Sequence, residues 1–271
     1  NIDKARKLFK PDPKLKICVS DLNNVSGMKE ALRETEYLYL SLSTQATDIN
    51  IPFSAEREGM RNILEAVNRD RIKQIIVLSG LGAFDNASNP DGFEFIPNII
   101  RKQGHKLLKN SGIPFTILHC SYFTDSFVIY RQKESYSIIG STTNPIYFVN
   151  CHDFTVHLIN SLGNPEAFFR EFPVQGYEGL THPKAARTFF DIYAKQTSVK
   201  ILPAGIIKAL ALFNKEMKYV KHMSDYFHHT NETFLAKDYH TYEILGTPSL
   251  SISDYAQKLK DEKIYDYLER V

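Results

Sequence analysis

Short apolar runs alternate with helical patterns through the first half of the chain. Lys16-Ile17-Cys18-Val19-Ser20 reads as a short buried strand ending in the turn Asp21-Leu22-Asn23-Asn24. Ser26 is placed to cap a helix carrying Met28, Ala31 and Leu32. Tyr37 to Ser41 forms the next apolar run. Ser54 then caps a longer helix in which Met60, Ile63, Leu64 and Val67 fall at i, i+3, i+4 and i+7. Gln74-Ile75-Ile76-Val77-Leu78 is the clearest strand, β-branched and uninterrupted. A loop rich in Gly, Asn, Asp and Pro runs from Gly80 to about Pro97. A helix follows from about Asn98 to Asn110 and stops at Gly112, and Phe115-Thr116-Ile117-Leu118 is a further strand.

Strands alternating with helices of this length predict βαβ units and a parallel sheet. Continuous apolar strands fit a sheet covered on both faces. In such sheets ligands bind beyond the carboxyl ends of the strands. Those ends are Ser20-Asp21-Leu22, Ser41-Leu42-Ser43, Ser79-Gly80-Leu81 and His119-Cys120, all small or polar in part. The second half is less regular. Strands are expected at Ile146–Val149 and Glu171–Val174 and a helix from Asp153 to Leu162. From Thr181 onward the pattern is helical, broken by Pro203 and Gly205, with a last amphipathic helix opening at Leu250-Ser251-Ile252-Ser253. The expected fold is a doubly wound parallel Rossmann-type sheet over residues 1–160, with a smaller, mostly helical lobe over residues 161–271.

Composition narrows the function classes. The 33 Lys and Arg against 31 Asp and Glu leave a net charge of +2, which draws the chain toward neither nucleic acid nor a membrane surface. Cys18, Cys120 and Cys151 stand singly, which favours a reducing, cytoplasmic setting over a disulfide framework. No apolar run reaches the length of about 18 residues that a membrane span needs. His222, Asp225, His228 and His229 do not complete a tetrahedral metal set, so no metal is expected. The Lys-rich stretches read as solvated faces.

Five blocks in order resemble the NmrA-like, atypical short-chain dehydrogenase/reductase family. They are Ser20-Asp21-Leu22; Glu58-Gly59-Met60-Arg61-Asn62-Ile63-Leu64-Glu65-Ala66; Ile75 to Ala83; Asn110-Ser111-Gly112-Ile113-Pro114-Phe115-Thr116-Ile117-Leu118; and Tyr147-Phe148-Val149-Asn150-Cys151-His152-Asp153. The resemblance implies an NAD(P)-binding Rossmann fold and a small-molecule substrate. The family opens with a Gly-rich strand, turn and helix whose backbone N–H groups hold the cofactor pyrophosphate. This sequence holds no GxxGxxG and begins Asn1-Ile2-Asp3-Lys4-Ala5. In the strand order 3-2-1-4-5-6 the unmatched strands are 1 and 2, so the expectation is about 30 further residues upstream, one βα unit and a strand.

The same resemblance assigns the candidate site. Asp21 and Leu22 would contact the adenine ring, and Lys4 with Arg6 a 2′-phosphate, favouring NADP over NAD. Ser41, Leu42, Ser43, Gly80 and Cys120 would border the cofactor. Ser79 would hold an acceptor carbonyl or the nicotinamide amide. The family's helix Lys and Glu align here with Arg101 and His105. Arg101 or Lys102 would stabilise developing negative charge, and His119 is a candidate proton donor. Gly82, Tyr122 and Phe123 would wall the substrate pocket. No Tyr-x-x-x-Lys pair is convincing, and Tyr is absent between Ser79 and Ser121. The leading expectation is an NAD(P)H-dependent oxidoreductase acting on a small carbonyl or quinone-type compound, as a monomer or homodimer. The alternatives are a non-catalytic dinucleotide-sensing regulator and a relative of the sugar-nucleotide epimerases and dehydratases.

Overall fold

The computed structural model describes residues 2–9, 12–84, 92–140, 144–203, 205 and 214–265. Four strands, β1 (Tyr37–Leu40), β2 (Gln74–Gly80), β3 (Phe115–Cys120) and β6 (Arg170–Val174), form one sheet in the order β1-β2-β3-β6. All three pairings are parallel, with Leu40 opposite Val77, Gly80 opposite Cys120, and Cys120 opposite Val174. The carboxyl ends of β2, β3 and β6 therefore lie level. This is the expected α/β architecture, and its fourth strand comes from beyond residue 160.

Residue parity sorts the two faces. Ile75, Val77, Phe115 and Ile117 pack under α2 (Val25–Leu32), α3 (Met60–Ala66) and α4 (Ile96–Lys109), through Met28, Met60, Ile63 and Leu108. On the other face, Ile76, Leu118, Cys120, Phe172 and Val174 pack with Phe154 of α6 (Cys151–Ser161) and Leu245 of α9 (Thr241–Leu245). Gln74 and Thr116, at the amino ends of their strands, are wholly buried yet satisfied. Gln74 Nε2 donates to Thr116 Oγ1 at 2.9 Å and to Ser161 O at 3.0 Å, and Gly163 N donates to Gln74 Oε1 at 2.8 Å. Pairing of this kind removes the penalty that buried polar groups otherwise carry.

A second core holds the other lobe. Phe127, Tyr136, Phe189, Phe190 and Leu259 bring together α5 (Ser126–Ile129), β4 (Ser135–Ile139), α7 (His182–Tyr193) and α10 (Ile252–Glu262). β4 pairs in parallel with β8 (Ser198–Leu202), and β5 (Ile146–Tyr147) pairs antiparallel with β7 (Gly179–Leu180). The helix α8 (Lys215–His229) completes the elements, with α1 (Ile2–Leu8) at the amino end.

Three expectations are corrected. Residues 16–20 form no strand: Cys18 is exposed and Val19 is 75% exposed. An apolar run becomes a strand only where a neighbour supplies ladder partners, and among the described residues β1 pairs with β2 alone and ends the sheet. The α2 cap is Asn24, whose side chain accepts from Gly27 N at 2.9 Å, rather than Ser26. The stretch after Thr181 is not all helical, because it contains β8, a partner for β4 some 60 residues earlier that no local pattern reveals. Among the described residues no helix is long and apolar enough to cross a membrane.

Candidate functional site

A cavity of about 630 Å³ opens at the carboxyl ends of β2 and β3, roofed by α8 and the loop after it. The strands contribute unequally because their side chains alternate. Gly80 and Cys120 share the parity of Ile76 and Leu118 and line the cavity. Ser79 and His119 share the parity of Ile75 and Ile117 and lie on the α4 side. The Ser79 hydroxyl is buried with no hydrogen-bond partner. His119 is fully buried. Its Nε2 lies 3.0 Å from Glu171 Oε2 and its Nδ1 3.4 Å from Gly80 O, and its ring sits between Phe84 and His105. Neither Ser79 nor His119 reaches the cavity.

Beyond the strand ends, Gly82, Tyr122 and Phe123 line the cavity, as do Arg101 and Lys102 of α4. Arg101 is fixed by two bonds: Nε donates to Glu56 Oε1 at 2.6 Å and Nη1 to Asn98 Oδ1 at 3.0 Å. Glu56 lies in the one π-helical turn among the described residues, Ala55–Gly59, which Ser54 caps through Arg57 N. Burial raises the Glu56 pKa, and the Arg101 guanidinium opposes the rise. Burial also holds the Cys120 thiol neutral, pushing its pKa well up. Of the residues expected to border the cofactor, then, Gly80 and Cys120 meet in the cavity.

The others lie elsewhere. Asp21 is exposed and accepts from Asn23 N at 2.8 Å, a turn bond. The Leu22 side chain packs toward Gly59, and its carbonyl accepts from Asn62 Nδ2 at 2.8 Å. Ser41 and Ser43 are exposed just past β1, while Leu42 packs into the core under α2 and α3. The side chain of Lys4 lies outside the described residues, and Arg6 pairs with Asp3 at 3.9 Å. His222, from the set weighed as a metal site, instead accepts from Ile96 N at 3.1 Å and so caps α4. Among the described residues the one group whose ligand atoms converge, all within 4.8 Å, is His105, His119 and Glu171. Lys109 also pairs with Glu171 there.

Sequence reasoning missed the cavity's far wall. Tyr219, Met223 and Tyr226 line it at helical spacing from α8, and Thr230 and Glu232 follow. The apolar stripe Tyr219, Met223 and Tyr226 at i, i+4 and i+7 was the available signal, but nothing in the sequence said which surface it would face. Phe95 stacks on Tyr226 at 4.6 Å and Phe93 on His229 at 4.8 Å, tying the loop before α4 to α8. Glu232 is a half-buried carboxylate in the cavity wall. Gln175 Nε2 donates to its Oε1 at 2.7 Å, Tyr147 N to the same oxygen at 3.4 Å, and Ser121 Oγ to Oε2 at 2.9 Å. Burial pushes its pKa up to about 7, and those hydrogen bonds oppose the rise.

A dinucleotide fits part of this arrangement. Gly80 and Cys120, with their small side chains, leave room at the carboxyl ends of β2 and β3. These suit the nicotinamide end of such a cofactor. The pyrophosphate end has no glycine-rich turn in this sequence to hold it.

The NAD(P)H-binding family profile matches residues 1–143. Among solved structures, the chain is similar to a nucleoside-diphosphate-sugar epimerase from Staphylococcus aureus. That match has a TM-score of 0.68 and 15% identity, over 95% of this chain and 88% of the other. It is similar to an NADPH-dependent quinone oxidoreductase from Escherichia coli, complexed with NADPH, with a TM-score of 0.64 and 17% identity over 89% and 82%. A Citrobacter sp. triphenylmethane reductase complexed with NADP(H) matches with a TM-score of 0.64 and 12% identity, also over 89% and 82%. At these identities the structures establish the fold. The profile covers more than half of the chain, and the protein belongs to the NAD(P)H-binding family.

Proposed function

We propose that this protein is an NAD(P)H-dependent oxidoreductase of the NmrA-like, atypical short-chain type, acting on a small carbonyl or quinone-type compound. The observation that carries the reading is the cavity itself. It lies at the carboxyl ends of β2 and β3, where parallel sheets bind ligands. Its walls are aromatic, with Tyr122 and Phe123 on one side and Tyr219, Tyr226 and Phe227 on the other. A volume of about 630 Å³ suits a small molecule. Two of the structural relatives are, by name, a quinone oxidoreductase and a triphenylmethane reductase, which supports a ring-bearing substrate for this cavity.

When bound, the reduced nicotinamide supplies a hydride to the acceptor. The chain's residues supply the surroundings. Tyr122 and Phe123 orient a planar substrate and exclude water from one side. Arg101, held rigid by Glu56 and Asn98, presents positive charge where negative charge develops on the acceptor. NADP is preferred to NAD, on Lys4 and Arg6 and on the cofactors of those two relatives.

One observation favours the dinucleotide-sensing alternative: Ser79 and His119, two expected catalytic side chains, point away from the cavity. Calorimetric titration with NADPH and NADH, followed by the fall in NADPH absorbance with a panel of quinones and aldehydes, decides between them. Binding with oxidation supports the enzyme, binding without oxidation supports the sensor, and no binding of either nucleotide refutes both.

A further inference from the structure

Ser121 is the first residue beyond β3 and Gln175 the first beyond β6, and both donate to Glu232. The carboxyl group is thereby bolted across the carboxyl ends of two adjacent parallel strands. Gln175 also fixes the backbone around it: Nε2 donates to Thr233 O at 2.8 Å, and Oε1 accepts from Leu235 N at 2.7 Å and Ala236 N at 3.1 Å. What remains accessible of Glu232 is in the wall of the cavity. We propose that Glu232 is the general acid of this site, giving its proton to the oxygen of a bound carbonyl or quinone acceptor.

This rests on the oxidoreductase reading and adds the proton to it. A two-electron reduction consumes one hydride from NAD(P)H, which is oxidised, and one proton. The Glu232 O–H bond breaks as an O–H bond forms on the acceptor oxygen. The carboxylate left behind regains a proton from solvent. A general acid works best with a pKa near the working pH, and burial brings Glu232 to about 7. Other titratable groups face the cavity. Cys120, Tyr122, Tyr219 and Tyr226 have pKa values raised by burial and stay neutral in this range. The charged groups are Arg101 and Lys102 of α4 and Glu94 of the loop before it. The hydrogen bonds to Glu232 come from Ser121, Gln175 and the Tyr147 backbone.

The test is binding of 1,4-naphthoquinone by calorimetry, without nucleotide, from about pH 6 to about pH 9. Wild-type affinity should fall about tenfold per pH unit above the midpoint near 7, roughly 100-fold by pH 9. Buffers of different ionisation heat should show uptake of close to one proton on binding at the alkaline end. Glu232→Gln keeps a donor and should abolish both the pH dependence and the proton uptake. Ser121→Ala removes a bond that favours the carboxylate and should move the midpoint upward. The proposal is overturned if Glu232→Gln keeps the wild-type pH profile, if wild-type binding is flat with pH, or if no quinone binds. NADPH oxidation is followed separately. Proton uptake assigned to Glu232 without oxidation refutes the oxidoreductase reading. Oxidation equally fast in Glu232→Gln refutes the acid.

Discussion

Gly104 sets the close approach of α4 to the backbone of the π-helical turn that carries Glu56. It lies in the middle of α4, where Gly is ordinarily a liability of about 1 kcal/mol against Ala. A Cβ at this position would stand 1.8 Å from the carbonyl oxygen of Glu56, in the π-helical turn. The obstacle is backbone, so no rotamer change relieves it. Reaching ordinary contact near 3.4 Å requires α4 and the turn to separate by well over 1 Å. Overpacking of that kind costs about 1–3 kcal/mol and sometimes more. A backbone clash this deep belongs at or above the top of that range, so against a gain of about 1 kcal/mol in helix propensity Gly104→Ala should lose about 2 kcal/mol net. For a chain of this size that lowers Tm by about 4–8 °C. The displaced residue is Glu56, which holds Arg101 against the cavity, so quinone or nucleotide binding should weaken as well. Thermal unfolding of Gly104→Ala beside Gly27→Ala is the assay. Gly27 lies in α2, where the added Cβ meets only the end of the Asn24 side chain at 3.0 Å, and that change should be near neutral. A Tm for Gly104→Ala equal to or above wild type would refute the close approach of α4 and the π turn.

Three further outcomes are expected. Asp153 accepts from Ser249 N at 3.0 Å, Ser249 Oγ at 2.7 Å, Leu250 N at 3.3 Å and Asn150 Nδ2 at 2.7 Å. Asp153→Ala strands these donors and should cost about 3 kcal/mol or more, read as faster hydrogen exchange across residues 249–262. Burial pushes His105 down to about 3 and His182 down to about 4, both below the unfolded value near 6.5. The unfolded chain then binds more protons, so stability falls as pH drops from about 6.5 toward 4. His182→Gln should flatten that slope in urea titrations, and an unchanged slope would show that His182 is not buried neutral. Arg101→Met leaves Glu56 buried without its partner and should cost roughly 3 kcal/mol, while Arg101→Met with Glu56→Gln should recover most of it. Without recovery, the pair does not act as a unit.

The order of strands and helices was written locally, in periodicities that each element carries by itself. β-branched runs at Gln74–Leu78 and Phe115–Leu118, and the i, i+3, i+4, i+7 spacing from Met60 to Val67, follow from side-chain alternation and the 3.6-residue turn. Those patterns, with the five blocks, were enough for the parallel α/β fold; of the residues named from the blocks, Gly80, Gly82, Arg101, Lys102, Cys120, Tyr122 and Phe123 line one cavity. Three things were decided only by the folded chain. Strand parity put Ser79 and His119 on the α4 face, because neighbouring side chains in a strand point to opposite sides of the sheet. The run at Lys16–Ser20 stayed unpaired, because a strand is made by its neighbour and not by its own composition. Glu232 reached the ends of β3 and β6 through contacts 57 and 111 residues apart in sequence. No periodicity spans such separations. Its partial burial, which pushes the carboxyl pKa up to about 7, belongs to the assembled lobes alone.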